Sequence, residues 1–101
     1  MIVSIDDFMY NGKIKDIKDG EAIDLRATAA VEDSERGYEA DHEFDIVIRF
    51  SAIFKNNKLD KFKVENAYNS ETEEKYQISS KDKNFLKTHM KNLKVSNIRE
   101  I

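Results

Sequence analysis

The sequence predicts an α+β domain: an antiparallel β-sheet of about five strands, meander-like, with one C-terminal amphipathic helix packed on one face. Three observations predict it. Apolar and polar residues alternate with period two between residues 21 and 68, the apolar spacing turns helical after residue 80, and Gly or Asn pairs fall where the chain must reverse. With 101 residues and no linker rich in Pro, Gly or Ser, one domain spanning 1–101 is expected.

Taken in order, 1–10 and 13–18 read as an opening hairpin, with Asn11-Gly12 between them and Asp19-Gly20 as a second hairpin turn. Ser4 with Asp7 offers an alternative there, capping a single helical turn. In 21–33, Ile23, Leu25, Ala27, Ala29 and Val31 share one face, and Asp24, Arg26, Thr28 and Glu32 share the other. The strongest alternation is 43–55, where Phe44, Ile46, Ile48, Phe50, Ala52 and Phe54 define a long central strand. Asn56-Asn57 then turns the chain, because Asn tolerates the left-handed backbone region. The segment 58–68 returns antiparallel with Phe62, Val64 and Tyr68 on one side. A solvated loop is expected over 69–77. Ser79 or Ser80 caps a helix of about 14 residues, roughly 21 Å long, with Asp82 in its first turn. Phe85, Leu86, His89, Met90 and Leu93 recur along it at helical spacing. Val95, Ile98 and Ile101 form a last strand or extend the helix.

Composition excludes several function classes. The chain has no Cys, so a disulfide framework, a thiolate metal site and a thiol nucleophile are absent. Its longest apolar runs are a few residues, which predicts neither a signal segment nor a spanning helix, and a cytoplasmic location is expected. Charge is unevenly distributed: residues 1–80 carry 11 basic and 18 acidic side chains, net -7, and residues 81–101 carry 6 and 2, net +4. The overall charge of -3, with Phe85 the lone aromatic in the basic segment, argues against a nucleic-acid binder. The abundance of Lys, Asn and Ile suits an AT-rich bacterial or phage genome.

Motifs for catalysis are missing. His42 lies among Asp41, Glu43 and Asp45, where carboxylates favour its charged form, and reads as an exposed strand-end residue. His89 reads as a core-edge residue with a local hydrogen bond. A calcium-loop reading of 32–43 has Gly37 sixth and Glu43 twelfth, but Arg36 stands fifth, where an oxygen donor belongs. Asp6-Asp7 has no further carboxylate at a recognisable spacing, and the Gly-rich phosphate-binding patterns are absent. No cofactor, metal site or catalytic residue is expected.

Antiparallel strands followed by an amphipathic helix, with 44–54 longest, loosely resemble the bacterial export chaperone SecB and its small relatives, and pleckstrin-homology-like domains. The resemblance covers roughly 21–93, consists of alternation alone, and assigns no family.

The expected function is therefore a non-enzymatic protein-binding module, such as an inhibitor, immunity or adaptor protein, acting by steric and electrostatic occlusion. Glu32, Glu35, Tyr38, Glu39 and Asp41 are its candidate partner-binding residues, an acidic surface with one aromatic anchor for a basic protein. On the sheet face opposite the core, Ala22, Thr28, Ala30, Val47 and Ile53 form a candidate apolar patch. A single helix cannot cover both faces, so a homodimer is expected through that patch. The alternative function is a chaperone-like or ligand-binding β domain that holds apolar segments there.

Overall fold

A computed structural model of the chain describes residues 1–32 and 43–101. The elements are β1 (Ile2–Tyr10), β2 (Ala22–Glu32), β3 (Glu43–Lys55), β4 (Lys58–Asn69), α1 (Ser80–Met90) and β5 (Arg99–Glu100), with 3-10 turns at Ile14–Asp16 and Val95–Asn97. The expected α+β architecture is what these residues form. The sheet order is β4-β3-β2-β1-β5, a four-strand antiparallel meander to which the chain's end adds β5, parallel to β1. At about 3.3 Å per residue the 13-residue β3 is roughly 43 Å long, so the 46 Å axis of the molecule runs along the strands.

The core lies on the face predicted for β2 and β3. Ile23, Leu25, Ala27, Ala29 and Val31 meet Ile46, Ile48, Phe50, Ala52 and Phe54, all buried. Phe50 sits at its centre, edge-on to Phe8 of β1 at 6.0 Å and to Phe62 of β4 at 6.3 Å. Leu86 and Met90 of α1, followed by Leu93 and Ile98, close this face, and Ile14 and Ile17 pack at its rim.

Four local expectations are corrected. Residues 13–18 are not a second hairpin strand; they form the 3-10 turn, and Gly20, with φ of 80°, leads directly into β2, its N–H donating to the Phe54 carbonyl at 2.9 Å. Residues 4–7 belong to β1 rather than to a helical turn. The helix is 11 residues, because Lys91 ends it and Leu93 bonds back to the Met90 carbonyl. Tyr68 is on the face opposite Phe62 and Val64: the β3–β4 register jumps between Arg49 and Phe50, so Glu65 is an extra residue and Ala67 takes the core position.

The two-residue turn at Asn56-Asn57 has φ of 51° and 69°, the left-handed pair that a tight hairpin demands. Ser79 caps α1 as expected, through a reciprocal capping box with Asp82.

Candidate functional site

Among the described residues α1 and the 3-10 turns lie on the core face, and the opposite face of the sheet carries no covering element. Its composition follows from the register. Ala22 stands opposite Ile53, Thr28 opposite Val47, and Ala30 opposite Asp45, so the five residues of the expected apolar patch do share one face. They are not contiguous. Asp24 with Ser51 and Arg26 with Arg49 form two polar rows between the Ala22–Ile53 pair and the Thr28–Val47 pair. Val47 and Ile53 are half-buried by their neighbours, and the large exposed apolar side chains of the described residues are Met1, Val3 and Ile101.

The arginine row is the polar centre of this face. Arg26 is half-buried and Arg49 exposed. Met9 reaches the same row from β1 as the register partner of Arg26, and an Arg26 Nη donates to its Sδ at 3.7 Å. The pair lines a shallow hollow of about 560 Å³, together with Tyr10, Ala22, Asp24, Glu65 and Ile101 among others. Sequence alternation puts Arg26 and Arg49 on this face, yet their being direct partners depends on the register of β2 against β3, which the sequence does not display.

At one end of the sheet the fold collects acidic side chains from separate segments. Glu32 ends β2, and Asp45 lies near the start of β3. The turn after β4 adds Glu71, Glu73 and Glu74, tied there by Ser70 N–H donating to the Asp45 carbonyl at 2.9 Å and by Asn69 N–H donating to the Glu74 carbonyl at 2.8 Å. Lys75, Lys81 and Lys83 are the cations of the adjoining segment. Of the expected partner-binding residues, Glu32 is at this end; Glu35, Tyr38, Glu39 and Asp41, like His42, lie outside the described residues. Glu71, Glu73 and Glu74 were missed as site residues because their proximity to Asp45 is a tertiary contact.

A second polar cluster is structural. The buried Asp82 carboxylate accepts from Ile2 N–H at 2.8 Å, Ser79 N–H at 3.1 Å and the Tyr76 hydroxyl at 2.9 Å. Burial alone raises a carboxyl's pKa; here the donors from Ile2, Ser79 and Tyr76 outweigh it and hold Asp82 below the usual value. Burial, then the Asp82 carboxylate, push the Tyr76 phenol above its usual value. His89 is exposed, with Nδ1 2.9 Å from the Phe85 carbonyl and its ring stacked on Phe85 at 3.8 Å. Among the described residues no three His, Asp or Glu side chains are placed to hold a metal ion, and no helix is long and apolar enough to cross a membrane.

No family model, curated protein or solved structure matches the chain.

Proposed function

We propose that the chain is a non-enzymatic protein-binding module whose acidic end docks a basic partner and occludes the surface it covers. The observation that supports this reading is the convergence of Glu32, Asp45, Glu71, Glu73 and Glu74, from three segments of sequence, on one end of the sheet. The register pair Glu32 and Glu43 brackets the connection 33–42. Its sequence adds Asp33, Glu35, Glu39 and Asp41 against Arg36, with Tyr38 as an aromatic anchor. A concentrated field of one sign accelerates encounter with an oppositely charged protein and rejects like-charged ones. The chaperone-like alternative needs a continuous apolar surface, and the polar rows through Arg26 and Asp24 divide the one it would use.

The test is association kinetics with the basic protein retained by the immobilised chain from its source cell. Reversing charge at Glu71 and Glu74, or at Glu35 and Glu39, lowers the association rate about tenfold at low salt and flattens its dependence on ionic strength. Unchanged kinetics in both double variants would refute docking at this end.

A further inference from the structure

We propose that the Arg26–Arg49 pair is a binding site for a carboxylate carried on a small apolar body. The two arginines are direct register partners on the central strands β2 and β3. Facing positions of an antiparallel pair hold their Cβ atoms about 4.5–5.5 Å apart, and like charges placed there destabilise the pairing. Among the described residues neither guanidinium has a carboxylate oxygen within 4.0 Å. The side-chain partner of Arg26 is the Met9 thioether, a weak acceptor without charge. A carboxylate seated between the two guanidinium forks offsets this repulsion through direct charge-assisted hydrogen bonds.

Space and shape agree with charge. The hollow beside the pair, about 560 Å³, falls within the range of roughly 300–1,000 Å³ usual for small-molecule sites. Ala22, Met9 and Ile101 supply its apolar lining. Each guanidinium presents a planar fork of donors that matches the two oxygens of a carboxylate. Asp24, Glu65 and Glu21 line the same hollow and decide between anions. The lining thus holds two cations and three carboxylates, so a single negative charge is held by direct bonds to the guanidinium forks rather than by net charge, whereas a phosphate dianion brings a second charge against the carboxylates. The site uses none of the acidic-end residues and stands or falls independently of partner docking there.

The experiment titrates the full ¹⁵N-labelled chain with hexanoate, with hexanol and inorganic phosphate as comparison probes, following the arginine Nε–Hε and Met9 resonances. Hexanoate gives saturable shifts at Arg26, Arg49 and Met9, and the two comparison probes bind at least about tenfold more weakly. Arg49→Gln and Arg26→Gln each weaken hexanoate about tenfold or more while keeping the spectrum of a folded chain. Without any ligand, Arg49→Gln melts about 2–4 °C above the parent, because it removes the facing charge at an exposed position. Absence of saturable shifts, equal binding of hexanol or phosphate, unaltered affinity in both variants, or a lower melting temperature for Arg49→Gln would each overturn the proposal.

Discussion

Asp82 is the single buried charged side chain among the described residues, and its carboxylate joins three parts of the fold. It receives Ile2 N–H from β1, closes the cap of α1 with Ser79, and holds the Tyr76 hydroxyl from the segment after β4. Cutting it back to alanine leaves the Ile2 amide and the Tyr76 hydroxyl without their acceptor and removes half of the capping box. Asp82→Ala is expected to cost about 2–4 kcal/mol in denaturant melts, and Tyr76→Phe about 1 kcal/mol. The donors lower the folded-state pKa of Asp82 below its unfolded value. Its stabilisation is therefore fully present above the ordinary carboxylate pKa of about 3.9 and is lost as pH falls through the lower folded value. Melts of the parent chain should weaken on acidification below about pH 4, and Asp82→Asn should lack that part of the dependence. An identical acid profile in the variant would show that other carboxylates control it.

At the scale of elements, the β3–β4 hairpin gives a direct check on backbone conformation. Both turn residues have positive φ, Asn56 at 51° and Asn57 at 69°, and the flanking Lys55 and Lys58 are paired. Glycine reaches that region without a Cβ penalty, so Asn57→Gly should raise stability by about 0.5 kcal/mol, and Asn56→Ala should lower it by about 1 kcal/mol. Phe50→Ala, which opens the centre of the core between Phe8 and Phe62, should cost about 3–5 kcal/mol, much of what a domain of this size possesses. Thermal melts followed by circular dichroism resolve all three. β2 and β3 were legible in the sequence because their alternation is unbroken over 11 and 13 residues. β1 was faint for a physical reason. Its pairing with β2 slips between Ile2 and Ser4 and again between Asp6 and Met9, where Asp7 has φ of 57°. Each extra residue moves the following side chains to the other face, so Phe8 reaches Phe50 while Met9 faces outward, and no single period describes the strand. The same effect at Glu65 hid the outward position of Tyr68. The arginine pair and the acidic end depend on register and on the packing of a turn against Asp45, which alternation within one strand does not encode.

The whole molecule is electrically polar along its 46 Å axis, a different division from the one between the first 80 residues and the last 21. Opposite the acidic end, Lys55 and Lys58 flank the β3–β4 turn, Lys61 and Lys63 follow on β4, and Lys94 bridges back to Lys58. Lys13, Lys15 and Lys18 join them from the link between β1 and β2, with Asp16, Asp19, Glu21 and Asp60 among them. A second copy laid on the open face with strand direction reversed sets acidic end over lysine end, which is attractive at the rims. The same two-fold operation centres the arginine rows on one another and brings four guanidiniums together out of water. Rim attraction is screened over about 8 Å at physiological salt, whereas charges desolvated at the centre are not, so the central repulsion wins. Light scattering at micromolar concentration and about 0.15 M salt should therefore give the monomer mass of 11.8 kDa. Twice that mass would show a second copy seated on the face. The salt response then locates the contact: an assembly that forms only as salt is lowered joins acidic end to lysine end, and one that strengthens as salt rises has overcome the arginines at the centre.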